Sequence, residues 1–176
     1  MKRIKLLALA TVVFQGLAGG AFAQAETDKR VASDQAWSVF EDGDPKLCWG
    51  VATPRETLNA DEQGRPKAVT RGKILLFVTY RKGGSAQGEV SFAGGYPFAP
   101  GSTVSLDVGG NTFELFTEGE TGWSASAEDD AKIIESMKKG TDAVLKGRSA
   151  RGTFTTDTFS LLGVTAATDE AAKRCQ

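Results

Sequence analysis

Short runs of alternating polar and apolar residues, separated by glycine-rich turns, recur along this chain and direct it toward an antiparallel β fold. Thr103-Val-Ser-Leu-Asp-Val108 alternates, Gly109-Gly110 follows at once, and Asn111-Thr-Phe-Glu-Leu-Phe-Thr117 alternates again. That spacing predicts a hairpin, because both central positions of a type I′ turn need positive φ. Ile74-Leu-Leu-Phe-Val-Thr-Tyr80 is a longer apolar run, rich in β-branched and aromatic residues, and predicts a buried strand. Trp37–Phe40, Leu47–Val51, Glu89–Phe92, Ala143–Leu145 and Thr153–Leu162 read as further strands. Glu41-Asp-Gly-Asp-Pro45 reads as a turn, and Thr53–Ala68, rich in charge, Pro and Gly, as a loop.

Two helices interrupt this pattern. Ser126 is placed to cap the first, with Asp129 three residues on. Glu128, Asp129 and Asp130 put negative charge at the positive end of the helix dipole. Ile133, Ile134 and Met137 form its apolar face, and Gly140 suits the C′ position. The second, Val164–Arg174, carries Ala167, Ala171 and Cys175 on one face. The expected fold is mainly β: an antiparallel β-sandwich or open barrel of about seven or more strands with two short helices.

The N-terminus reads as an address. Lys2, Arg3 and Lys5 precede an apolar run from Leu6 to Leu17, and Ala21-Phe-Ala23 has the small-x-small pattern of a signal-peptidase site. The run is too short for a stable membrane-spanning helix, which takes about 20 residues. The expected organisation is a signal peptide over 1–23, a flexible lead-in over 24–36, and a single β-rich domain over 37–176. The mature chain then carries no transmembrane segment, and its destination is the periplasm, the outer membrane or the exterior. In such an oxidising compartment the only two cysteines, Cys48 and Cys175, are expected to form a disulfide. The competing reading, a redox-active pair, usually takes Cys-x-x-Cys spacing, which these residues lack.

Composition removes much familiar chemistry. The chain has no histidine, so Ser-His-Asp and Cys-His catalysis and imidazole metal ligation are excluded. Two cysteines cannot build a four-thiolate zinc site. A formal net charge of −1 argues against nucleic-acid binding. No cofactor fingerprint is present, and the expected cofactor is none.

Of the loops, Ala93-Gly-Gly-Tyr-Pro-Phe-Ala-Pro-Gly101 is the most conspicuous. Its Tyr96 and Phe98, held between glycines and prolines, are the candidate partner-binding residues, as a semi-rigid aromatic lip. Folding of both rings back onto the core is the structural alternative. Glu41–Asp44 offers carboxylates, but without EF-hand spacing, and reads as a solvated turn with no metal. Arg71, Lys73, Arg81 and Lys82 flank the long strand, either as a basic patch for polyanions or as edge-strand protection. Trp37, Trp49 and Trp123 read as core residues, with Trp49 packed beside the bridge at Cys48. No catalytic residue is assigned.

The order of several motifs resembles one family. They are Trp37–Phe40, Pro45–Cys48, the Met-Lys-Lys-Gly of Met137–Gly140, the Ser-Ala-Arg-Gly-Thr of Ser149–Thr153, the Phe-Ser-Leu-x-Gly of Phe159–Gly163, and the terminal Cys175. In this order they resemble the invasion-associated locus B family of exported, mainly alphaproteobacterial proteins. The resemblance implies export to the periplasm or outer membrane, and its founding example is tied to invasion of host red cells. It supplies no catalytic residues. Many relatives carry a further cysteine shortly after the first Trp motif, where this chain has Glu41–Asp44 and none. The expected function is a non-catalytic interaction protein contacting an envelope component, a glycan or a host-surface protein. The alternatives are a periplasmic carboxylate-dependent hydrolase acting on sugar polymers and an envelope-stress structural protein.

Overall fold

The computed structural model describes residues 29–84 and 88–176. The expected signal peptide, and the lead-in as far as residue 28, lie outside the described residues. Among those described, eleven strands and two helices form a mainly β fold, as the sequence pattern predicts.

The strands are β1 (Arg30–Asp34), β2 (Trp37–Asp42), β3 (Leu47–Ala52), β4 (Glu56–Ala60), β5 (Leu75–Arg81), β6 (Glu89–Ala93), β7 (Thr103–Val108), β8 (Asn111–Glu118), β9 (Thr121–Trp123), β10 (Asp142–Arg148) and β11 (Phe154–Ser160). The helices are α1 (Ala127–Lys139) and α2 (Val164–Arg174). The strands make one sheet in the order β1-β2-β3-β5-β6-β9-β8-β7-β10-β11-β4, with every neighbouring pair antiparallel. Gly109 and Gly110 have φ of 59° and 89° in the β7–β8 turn, the left-handed pair the hairpin reading requires.

Period-two alternation gives this sheet an inner and an outer face. Trp37, Val39, Cys48, Leu76, Val78, Val90, Phe92, Leu106, Leu115, Leu145 and Phe159 all point inward and are buried. The sheet curls until inward residues from distant strands meet. Phe92 of β6 packs edge-on against Phe159 of β11, with ring centroids 6.1 Å apart. The Trp37 indole N–H donates to the Ser160 carbonyl at 3.0 Å, bringing β2 close to the end of β11.

Both helices bury one face. Ser126 caps α1: its hydroxyl accepts from the Asp129 N–H at 3.1 Å, an arrangement worth about 1 kcal/mol. Ile133, Ile134 and Met137 enter the core. Asp130 departs from the dipole reading. Its carboxylate is buried and accepts from the Val90 N–H at 2.7 Å and the Ser124 hydroxyl at 2.5 Å, tying α1 to β6. Burial raises its pKa, against the two hydrogen bonds that lower it. Gly140 has φ −85°, so it is no left-handed C′ residue. What it supplies is space: a Cβ there would meet Val108 Cγ1 at 2.7 Å.

In α2, Ala167, Ala171 and Cys175 are buried, as their spacing predicts. Small residues let this helix lie close to the sheet, with Ala167 against Gly50 of β3. Gly163, its N-cap, has φ +92°, and a Cβ there would lie 2.2 Å from the Asp34 carbonyl oxygen. Cys48 and Cys175 form the expected disulfide, with Cα atoms 5.8 Å apart.

Four expectations need correction. Arg30–Asp34, within the expected flexible lead-in, is already a strand, because it pairs with β2. Thr53–Ala68 is not all loop, since Glu56–Ala60 pairs with β11 as an edge strand. The long apolar run is not buried on both faces: Leu76, Val78 and Tyr80 face inward, while Leu75 and Phe77 are half-buried on the other side. Of the three tryptophans only Trp37 is core, while Trp49 and Trp123 are half-buried. Trp49 follows Cys48 on a strand, so alternation sends it away from the bridge, where it stacks on Phe40 at 5.8 Å.

The bond spans 127 positions of sequence. Replacing both cysteines by alanine is expected to lower unfolding stability by about 2–5 kcal/mol. Urea denaturation against the oxidised parent measures this, and an unchanged midpoint would show that the bridge contributes nothing.

Candidate functional site

Two regions hold side chains that ordinary core packing does not explain. The first is an apolar groove of about 760 Å³ on the outer face of β2, β3 and β5. Strand register assembles it. Phe40 lies opposite Trp49, and Val51 lies opposite both Ser38 and Phe77. Directly paired residues share a face, so these outward positions form one cluster with Ile74 and Leu75. The Phe40 and Trp49 rings lie within 10° of parallel. Lys29, Asp42 and Lys73 stand at the margin, and Lys29 pairs with Asp42. Outward positions on an antiparallel sheet ordinarily carry polar residues, so this cluster is a departure from the pattern.

The second region lies beneath the 93–101 loop. Arg71, whose side chain is 6% exposed, donates to both oxygens of the fully buried Asp157 at 2.7 and 2.8 Å. It also donates to the Gly94 carbonyl at 2.7 and 3.0 Å and to Asn59 at 3.3 Å. Every N–H donor of the guanidinium is therefore committed. Burial raises the Asp157 pKa, and the adjoining guanidinium acts in the opposite direction. The Tyr96 ring lies 4.9 Å from the guanidinium carbon, and its hydroxyl is 2.6 Å from the Thr155 hydroxyl. Burial raises the Tyr96 pKa, against the Thr155 hydrogen bond and the Arg71 charge, which lower it. A cavity of about 470 Å³ opens beside this network, lined in part by Val69, Tyr96, Glu120, Ser149 and Arg151.

These arrangements correct the remaining site expectations. Phe98 is no exposed anchor: it is 6% exposed and packs against Phe92 and Tyr96 at 6.2 and 4.9 Å. The loop is drawn inward because Phe98 N donates to Gly119 O, Ala99 N to Arg148 O and Ala150 N to Pro97 O. Tyr96 is half-buried, with one face on Arg71 and an edge on the cavity. Arg71 is a buried structural cation rather than part of a basic patch. Arg81 pairs with Glu89 at 3.0 Å, and β5 is an interior strand, so these charges do not protect an edge. Glu41 pairs with Lys46 at 2.9 Å and with Arg174 at 3.3 Å, and Lys46 holds its carboxyl below the usual range. Among the described residues no group of three or more His, Cys, Asp or Glu is placed to hold a metal ion. None of the described helices is long and apolar enough to cross a membrane.

Sequence reading singled out the 93–101 loop and Tyr96, but missed the groove and the Arg71–Asp157 pair. The groove was hidden because an unbroken apolar strand looks the same whether its second face meets protein or solvent. The Arg71–Asp157 pair was hidden by a separation of 86 positions.

Removing one partner of this pair strands a buried charge. Asp157→Asn is expected to cost about 3–5 kcal/mol of stability. The double variant Arg71→Met/Asp157→Leu should recover part of that loss, the rest reflecting the orphaned Gly94 carbonyl. Urea denaturation of the three proteins checks this, and a single variant as stable as the parent would show that the pair is not the clamp described.

The fold has a counterpart among solved structures. The crystal structure of invasion-associated protein B from Bartonella henselae superposes with a TM-score of 0.54, covering 81% of this chain and 96% of that one at 14% identity. At that identity the likeness shows the fold alone. No curated protein sequence matches the chain significantly. The family described as Invasion associated locus B (IalB) protein matches residues 41–172, which run from the end of β2 into α2 and include the buried Arg71–Asp157 pair. The chain thus belongs to the invasion-associated locus B family.

Proposed function

We propose that this chain is an exported, non-catalytic interaction protein that contacts an envelope or host-surface component through the groove on β2, β3 and β5. The observation that carries this reading is the outward cluster of Phe40, Trp49, Val51, Leu75 and Phe77. These side chains are half-buried and line a groove with a polar margin, an arrangement found at partner surfaces, where buried aromatic anchors dominate the energy of contact. Rings fixed on adjacent strands lose little freedom on binding, which favours recognition over catalysis. The family supports export.

The buried aspartates support this reading over a carboxylate-dependent hydrolase. Such an enzyme needs two carboxyl groups about 5–10 Å apart flanking a bound sugar. Asp157 is held by Arg71, and Asp130 by Val90 N and the Ser124 hydroxyl, so both serve the fold.

Binding of the purified protein to isolated outer membranes and to host red cells tests the proposal. Trp49→Ser/Phe77→Ser is expected to weaken binding by more than about tenfold, since central aromatic anchors contribute about 2 kcal/mol or more each. Circular dichroism would verify the fold of the variant. Equal binding by parent and variant, or no binding by either, would overturn the proposal.

A further inference from the structure

A second surface carries an independent signal, on the outer face of β10 and β11. Alternation on β10 sends Ala143 and Leu145 inward, and Lys146 and Arg148 outward, both exposed. Two residues along a strand span about 7 Å. Arg148 lies opposite Phe154 of β11, which is 42% exposed. Lys146 lies between Ser105 of β7 and Thr156 of β11, so a hydroxyl flanks it on each side. A third exposed cation, Arg151, sits in the turn joining β10 to β11 and lines the neighbouring cavity beside Tyr96.

None of these three cations has an ion-pair partner among the described residues, whereas Lys29, Lys46, Arg55, Arg65, Arg71, Arg81, Lys132, Lys138, Lys139 and Arg174 all do. Two carboxylates share this outer face: Asp107 of β7, opposite Val144 and one diagonal step from Lys146, accepts from the Gly110 N–H and the Thr112 hydroxyl, and Glu114 of β8, beyond Ser105 and lining the same depression, accepts from the Thr103 hydroxyl. The opposite neighbour in that row is Leu58 of β4, and Ala60 lies beyond Phe154. In a chain with net charge −1, three cations that pair with neither of these carboxylates are gathered here.

We propose that this face binds an anionic linear polysaccharide. Arg148 would engage a sulfate, phosphate or carboxylate group bidentately, and Lys146 the next anionic group along the polymer. Phe154 offers a face for a sugar ring, and Ser105 and Thr156 offer hydroxyls to its oxygens. The lining favours this ligand over a lipid surface, because the shallow depression holds mainly hydroxyl and charged side chains, with Phe154 the apolar group inside it and the exposed Leu58 and Phe116 at its margins. The inference does not rest on the groove on β2, β3 and β5.

Heparin is the probe, with neutral dextran as the comparison polymer. The mature protein should bind heparin and not dextran, and binding should weaken steeply as salt rises. Lys146→Glu/Arg148→Glu should weaken binding by roughly tenfold or more, and the neutral Lys146→Gln/Arg148→Gln by less. Phe154→Ala should weaken it a few-fold without changing the salt dependence. Lys173→Glu, the same charge reversal at an exposed position of α2, should bind like the parent. Heparin affinity unchanged by the β10 substitutions, or lost equally in Lys173→Glu, would overturn the proposal. So would tighter, Lys146- and Arg148-dependent binding to phosphatidylglycerol vesicles, which would assign the surface to a membrane.

Discussion

One face of an eleven-stranded sheet carries nearly all the large buried side chains of this protein, and that face can be kept from water only if the sheet closes over itself. The consequence reaches every other element. Phe92 and Phe159, from strands five places apart in the sheet, meet because the inner face curls. Trp37 spans from β2 to the end of β11 for the same reason. The helices fill what curvature leaves open, α1 against β6 to β8 and α2 against β1 to β3.

Curvature alone leaves the sheet with two edges, β1 and β4, and the structure ties both down. α2 anchors the first: Gly163 passes close to the Asp34 backbone, and Cys175 is bonded to Cys48 of β3. Arg71 anchors the second, joining the segment after β4 to β11 and to the loop after β6. A buried ion pair is weak evidence for net stability. Its value here is positional, since a bidentate guanidinium with every donor committed admits one arrangement of three segments.

The motifs that mark the family fall at these fold-defining points. Gly163 is a left-handed N-cap pressed against β1, and Gly140 leaves room for Val108. Ser149–Thr153 is the turn between β10 and β11, where the Ser149 hydroxyl accepts from the Thr153 N–H. None of these residues points to a shared reaction.

The hairpin at Gly109–Gly110, the cap at Ser126, the buried face of α2 and the pairing of two lone cysteines were all legible in the sequence. Each depends on local periodicity, on residues a few positions apart, or on there being a single way to pair. Edge strands β1 and β4 were not legible, because their polar residues owe strand conformation to hydrogen bonds from β2 and β11 rather than to a hydrophobic pattern of their own. Phe98 and Arg71 were misplaced for a related reason: nothing near them in sequence reveals that Gly119, Arg148 and Asp157 receive them. Local alternation thus specifies which side chains share a face. Which faces meet, which is left to solvent, and which charges find partners are decided only when strands distant in the chain are brought into register.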